Sequence, residues 1–359
     1  MPSPISPRGR GTSSMPRNRF ESLGVEDDAG AWEEIAKTDP DFVPKRPVTQ
    51  ILHDDSQSIL SRNQSPDIGF TFSLNPYRGC EHGCAYCYAR PYHEYLGFNA
   101  GLDFETKIIA KPEAPTLLEK ELSKSSWAPT SLACSGVTDC YQPIERKQEI
   151  TRQCLEILAR CRHPVGLITK NALVTRDLDL LEELNHFKAA LVVISLTSLD
   201  PGLAGDLEPR ASRPQARLKT IRELSEAGIP VGVSVAPIIP GLNDHEIPKI
   251  LEAAAEAGAS FSSGTVLRLP FGVKEIFEDW LMSFRPTHRE KVLDRVRELR
   301  GGRLNSSTFG ERMTGRGALA NEIQNWLTVG RRRCGLEAPS PMLSTDSFRR
   351  PMPGQLELF

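Results

Sequence analysis

With 359 residues, 39% of them hydrophobic and 25% charged, and a formal net charge of -2, the chain has the material for one large domain plus extensions. No apolar run approaches the length of a membrane span, and the opening Met1-Pro-Ser-Pro-Ile-Ser-Pro-Arg-Gly-Arg10 lacks the apolar centre of a signal peptide, so the expectation is a cytoplasmic protein with no membrane partner. Eight cysteines without a disulfide-like framework fit a reducing compartment.

In chain order, residues 1–48 are rich in Pro, Ser, Gly and Arg without periodicity and read as a disordered tail. The next signal is Asn75-Pro-Tyr-Arg-Gly-Cys80-Glu-His-Gly-Cys84-Ala-Tyr-Cys87-Tyr-Ala-Arg90. Three thiolates so spaced on one short loop can each hold one iron of a four-iron cluster, which leaves the fourth iron without a protein ligand. Three cysteines plus His82 could instead bind zinc, but His82 lies between Cys80 and Cys84, where its side chain points away from the site the thiolates share. A structural zinc site is closed, whereas an open ligand position is where chemistry takes place.

Short apolar runs then alternate with amphipathic stretches. The runs are Thr106–Ala110, Ser131–Val137, Val165–Thr169, Ala190–Ser195, Ile229–Val235 and Gly264–Leu269; helices are expected over Thr151–Cys161, Asp177–Phe187, Pro214–Ala227 and Asp244–Ala257. Gly228 and Gly258 serve as stop signals, and Asp244 suits an N-cap. Such alternation implies an α/β fold of parallel strands with right-handed crossovers, and six or seven units are too few for a closed eightfold barrel. The expected fold is therefore a partial (β/α)6-type TIM barrel over residues 65–285.

In such a fold reactive groups lie at the C-terminal ends of strands. That rule selects Thr138-Asp139-Cys140-Tyr141 after the second run, then Lys170, Ser195 and Ala236 after the next three. Thr138 and Ser195 also suit ordinary strand-end capping, and Asp139 with Lys170 a structural ion pair. Cys134, Cys154 and Cys161 read as core residues. Arg210 and Arg217, which follow Glu208, could hold that carboxylate, shape the barrel mouth or meet an anionic substrate.

Between residues 285 and 333 twelve Lys or Arg stand against five Asp or Glu, an excess of seven, so residues 286–335 read as a basic helical extension suited to a nucleic-acid partner or, alternatively, to a solvated helix face. Residues 336–359 read as a second disordered tail ending in Gln355-Leu356-Glu357-Leu358-Phe359.

The Cys-x-x-x-Cys-x-Tyr-Cys spacing of Cys80, Cys84, Tyr86 and Cys87, with Gly79 and Gly83 in place, resembles the radical S-adenosylmethionine (SAM) enzymes. The order of the strand-end residues resembles the spore photoproduct lyase-like branch, often described as DNA repair photolyase-like, over roughly residues 65 to 285. The resemblance implies a [4Fe-4S] cluster on Cys80, Cys84 and Cys87. The unique iron would be chelated by SAM, with Tyr86 near the adenine. Reductive cleavage of SAM would then give a 5′-deoxyadenosyl radical. It further implies that Lys170 pairs with the SAM carboxylate, that Thr138, Asp139 and Ser195 bond its amino or ribose groups, and that backbone near Ala236 contacts the adenine. A flavodoxin or ferredoxin would supply electrons. In spore photoproduct lyases proper, a cysteine just before the strand-end pair quenches the product radical. The corresponding position here is near Gly136, which leaves Cys140 and Tyr141 as substitute catalytic candidates.

The final residues resemble the peptide with which bacterial replication and repair proteins dock on the sliding clamp, through Gln355, Leu356, Leu358 and Phe359. A rival reading is a clamp- or nucleic-acid-associated binding protein whose cluster is structural or redox-sensing.

Overall fold

The computed structural model describes residues 9–21 and 47–352. Its strands are β1 (Gln50–His53), β2 (Leu60–Arg62), β3 (Phe72–Leu74), β4 (Tyr77–Arg78), β5 (Lys107–Ala110), β6 (Leu132–Cys134), β7 (Val165–Thr169), β8 (Ala190–Ser195), β9 (Val231–Ile238) and β10 (Phe261–Val266). The longer helices are α1 (Ala114–Ser123), α2 (Ile150–Arg160), α3 (Leu178–His186), α4 (Pro214–Glu226), α5 (Ile247–Glu256), α6 (Val273–Phe284), α7 (Arg289–Leu299) and α8 (Ala318–Cys334).

Among the described residues the main sheet runs β10-β9-β8-β7-β6-β3-β2. β3 and β6 to β10 are parallel to their neighbours, and β2 caps one edge antiparallel to β3. The sheet stays open between β2 and β10, which makes it a partial barrel. Each crossover helix buries one stripe; in α2 this is Ile150, Cys154, Leu155 and Leu158, spaced to share a helical face. These side chains join strand residues such as Leu167, Val192 and Val233 in one core. Because the strands run in parallel, their C-terminal ends and the loops that follow them share one rim.

Thr106–Ala110 does hold a strand, but β5 belongs to a second sheet, where it pairs with parallel β1 and antiparallel β4. The barrel starts instead with β3, whose three residues before Asn75-Pro76 are too few to show a periodicity. The last strand also falls earlier than the apolar run 264–269, since an edge strand tolerates the polar Ser262 and Ser263. At that edge α8 replaces a further strand. A Cβ on Gly264 would lie 2.7 Å from Leu327 Cδ1 of α8, so the glycine permits this close approach. Leu319, Ala320, Ile323 and Leu327 thereby enter the barrel core, and the basic extension is packed rather than appended.

Both segments read as tails contain ordered chain. In residues 9–21, Arg10 Nη1 donates to the Glu105 carbonyl (2.7 Å), Gly11 N to Glu105 Oε2 (2.9 Å) and Ser14 Oγ to Asp279 Oδ2 (2.5 Å). Asn18 Nδ2 reaches the carbonyls of Glu94 and Phe98 at 3.0 and 3.1 Å. In residues 336–352, Ser344 N donates to the Lys188 carbonyl (2.9 Å) and Arg349 N to that of Cys161 (2.8 Å). The Phe348 ring meets His163 edge-on at 5.3 Å. Both segments are ordered by bonds to residues distant in sequence, which composition does not register. Gln355, Leu356, Leu358 and Phe359 lie outside the described residues.

Candidate active site at the cysteine loop

The loop from Gly79 to Arg90 leaves β4 and lies at the strand-end rim. Gly79 and Gly83 both hold positive φ, 76° and 67°, which lets the chain turn sharply on either side of Cys80. Cys80 N donates to the Phe104 carbonyl at 2.9 Å and Ala85 N to that of Leu207 at 3.0 Å. Arg90 is fully buried, with Nε 3.0 Å from the Cys84 carbonyl, Nη1 2.9 Å from that of Gly101 and Nη2 2.5 Å from Glu105 Oε1. Gln142 braces the other side, accepting from Glu81 N (2.8 Å) and donating to the Gly79 carbonyl (3.1 Å).

Cys80 and Cys84 are buried and Cys87 is partly open. Burial pushes all three thiols up, and Cys80 is pushed further by Asp139 and by the other two cysteines. Three converging thiolates in a buried loop are costly unless cations neutralise them, and iron ligation would do so. Backbone amides also face the sulfurs, that of His82 at Cys80 and those of Ala89 and Arg90 at Cys87. Three sulfur donors on one loop are the ligand chemistry that a four-iron cluster takes, and they would leave its fourth iron open.

His82 is the crosspiece between loop and rim. It accepts at Nε2 from Asn171 Nδ2 (3.2 Å), which leaves the proton on Nδ1, 3.4 Å from Asp139 Oδ2. Asp139 also receives Lys170 N (2.8 Å), Thr169 Oγ1 (2.8 Å) and Tyr141 N (2.9 Å). Burial opposes its ionisation, but His82 and these donors outweigh burial and hold it down at about 2.

A second network seats Tyr86. Its hydroxyl donates to Glu208 and faces Thr197, while Glu208 is ion-paired with the buried Arg217. Burial again opposes the charge on Glu208, yet Arg217, Lys170 and the hydroxyls of Thr197 and Tyr86 keep it at about 2. Arg217 Nη1 also holds the Ser195 carbonyl (2.9 Å), and Thr197 Oγ1 the Ala236 carbonyl (2.9 Å). The Lys170 ammonium acts on the same region, favouring the ionised forms of Cys84, Cys87 and Glu208.

The rim thus brings Cys80, Cys84, Cys87, Tyr86, Asp139 and Lys170 together and links Ser195 and Ala236 to them through Arg217 and Thr197. Thr138 commits its hydroxyl to the Tyr77 carbonyl at 2.7 Å. Cys140 and Tyr141 are fully buried in the main core, Tyr141 with its hydroxyl 3.0 Å from Asp177 Oδ2. Of the two arginines that follow Glu208, Arg217 holds that carboxylate, while Arg210 pairs with Glu81 at 2.9 Å. Thr197 and Asn171 escaped the sequence reading because they stand one or two places past the strand-end residues it selected. Arg268 escaped because the misplaced last strand put it inside the sheet instead of on the rim.

The family model described as Radical SAM superfamily matches residues 74–254. An uncharacterized protein of Mycobacterium tuberculosis strain H37Rv is 36% identical over 232 residues, covering 64% of this chain and 67% of its own length. The radical SAM Nalpha-GlyT isomerase of Pseudomonas phage M6 is 28% identical over 228 residues, covering 61% of this chain and 43% of its own. A mutant of spore photoproduct lyase shares the fold with a TM-score of 0.59 at 16% identity, over 88% of this chain and 85% of that one. Spore photoproduct lyase complexed with dinucleoside spore photoproduct gives 0.58 at 17% identity over 79% of each chain. Enzymes of this superfamily use a [4Fe-4S] cluster and SAM and draw on an electron donor. The chain is an enzyme of the radical SAM superfamily, with the fold of its spore photoproduct lyase-like branch.

Proposed function

We propose that Cys80, Cys84 and Cys87 hold a [4Fe-4S] cluster and that the chain cleaves SAM reductively to act on a nucleic acid. The carrying observation is that three thiols of one loop, Cys80 and Cys84 buried and Cys87 partly open, act on one another, with the Lys170 charge felt at Cys84 and Cys87. Held there with SAM, such a cluster would supply the electron for reductive cleavage of SAM.

This chain's residues do the holding. Lys170 offers its ammonium to the SAM carboxylate, and the Glu208 network fixes the Tyr86 ring at the adenine side. Asp139 spends its acceptors on His82, Lys170 N and Thr169, so its part is to position the loop and Lys170. Ser195 ends β8 at the rim, while the Ala236 carbonyl, inside β9, is held by Thr197. Cys140 and Tyr141, enclosed in the core, stay outside the reacting shell. A nucleic-acid substrate is supported by the basic stretch 285–333 and by the dinucleoside carried by a protein of the same fold.

Anaerobically reconstituted protein should carry about four iron per chain and, with dithionite, convert SAM to 5′-deoxyadenosine. Cys80→Ala, Cys84→Ala or Cys87→Ala should each remove both. Lys170→Ala should keep the iron and weaken SAM binding by roughly 1.5 to 3 kcal/mol, the worth of a hydrogen bond to a charged group. Wild-type protein that takes up iron yet forms no 5′-deoxyadenosine would overturn the reading.

A further inference from the structure

Arg268 stands just past the end of β10, on the same rim as the cysteine loop. Its Nε is buried without a hydrogen-bond partner, and Nη1 has only the Met313 thioether at 3.7 Å. Among the described residues no carboxylate pairs with it. The nearby Asp67 is engaged by Arg312 at 2.5 Å, and Arg300 is turned onto the carbonyls of Leu267 (2.7 Å) and Glu311 (2.8 Å). Burial and the field of Arg312 both work against the Arg268 charge. A guanidinium does not give up its proton, so a half-buried one without a partner is a standing cost that an anion would remove.

The Tyr88 ring lies 5.7 Å from the Arg268 guanidinium and directly follows Cys87. Beyond it the chain displays rings where a soluble surface rarely places so many together. Tyr88 is 44% exposed, Tyr92 56%, Tyr95 67% and Phe20 57%. Tyr92 and Tyr95 have centroids 6.5 Å apart, and Phe20 continues the row 4.7 Å from Tyr95. Arg19 lies over Phe20 (5.2 Å) and over the exposed Phe271 (3.6 Å), but it is ion-paired with Glu94 and so braces the row rather than offering a free charge. Rings that take base faces, beside a guanidinium that takes a phosphate, form the kind of surface by which proteins follow an unpaired strand. A duplex keeps its base faces stacked inside and cannot use such rings.

We propose that Tyr88, Tyr92, Tyr95 and Phe20 form a stacking platform for single-stranded nucleic acid, with Arg268 as the phosphate anchor at its inner end beside Cys87. The proposal rests on the radical-enzyme reading only for the fate of the anchored nucleotide, which enters the rim next to the cluster.

The test uses the full reconstituted chain and a fluorescein-labelled oligothymidylate of about twenty nucleotides, long enough to span the platform. Anisotropy should show salt-dependent binding tighter than to a duplex of the same length. Arg268→Ala should weaken it about tenfold and lower the log–log salt slope by about one. Arg268→Lys should restore the slope. Tyr92→Ser and Tyr95→Ser, at positions too exposed to endanger folding, should each weaken binding at least about fivefold. Iron content and circular dichroism report folding of every variant. Equal or tighter duplex binding, or unchanged affinity in the tyrosine variants, would overturn the platform. 5′-Deoxyadenosine formation by the wild-type protein in the same preparations reads the radical reading separately, so either idea can fail alone.

Discussion

Residues 9–21 and residues 336–352 share a composition of Pro, Ser and Arg, yet the structure places them on different work. The first is bonded to the cysteine loop and its supports through Arg10, Gly11 and Asn18. The second crosses the turns that follow α1, α2 and α3, with Arg350 on the Trp127 carbonyl, Arg349 on that of Cys161 and Ser344 on that of Lys188. The N-terminal strap bears on the chemistry and the C-terminal strap on the stability of the barrel wall. Similar sequences acquire different roles because their partners, not their composition, decide what their ordering holds in place.

The strongest way to break this contrast is at Gly11, where a Cβ would fall 1.5 Å from the Gly83 carbonyl of the cysteine loop. Gly11→Ala should lower reconstituted iron from about four to below about one per chain, read by iron assay and visible absorption. Full iron in this variant would show that the strap is dispensable to the loop.

Acid should strain both straps through buried histidines. His93 stacks on Phe98, whose carbonyl receives Asn18, and His163 lies under Phe348; burial holds each down to about 4. Both stay neutral in the fold while the unfolded chain protonates near 6.5, so the unfolded state binds more protons and stability falls between pH 6.5 and 4. The full loss is up to about 3 kcal/mol per histidine. Asp139 and Glu208, held at about 2, are depressed carboxylates whose contribution declines only below the ordinary carboxylate range, as pH falls towards 2. Urea unfolding across this range should show the two steps. His163→Gln should remove about half of the upper one, and an unchanged slope would exclude His163 as its source.

Phe348→Ala should cost about 2 kcal/mol, less than a fully buried phenylalanine because the ring is half-buried. Iron uptake should stay at the wild-type level, which is the contrast with Gly11. At the small end, Arg160→Ala removes an ion pair with Glu119 in which both side chains are exposed, and should change stability by less than about 0.5 kcal/mol. A larger loss would mean that the wall under the C-terminal strap depends on surface charge.

Local signals carried the parts of the molecule that local chemistry decides. The cysteine spacing identified the loop, and 3.6-residue periodicity placed α2 to α5 within a few residues of their ends. The strand-end rule reached Asp139, Lys170 and Ser195 because parallel strands share a rim, whereas Ala236 lies inside β9, which runs on to Ile238. It also selected Cys140 and Tyr141, since position past a strand does not tell whether the next side chain faces rim or core. The apolar run 106–110 misled for a related reason: β5 looks like a barrel strand, and only its partners β1 and β4 assign it elsewhere. The straps, the His82 crosspiece and the orphaned Arg268 are products of contacts far apart in sequence, and no window along the chain contains them.

The N-terminal strap also sets an order in time. Ser14 is bonded to Asp279, 265 residues later, and Arg19 lies on Phe271. On a growing chain, the cysteine loop leaves the ribosome long before the helix that completes the strap's seat has been made. The strap's bonds to Glu94, Phe98 and Glu105 need only the first third of the chain, whereas its outer anchor on α6 is made late, so the strap is seated in two stages.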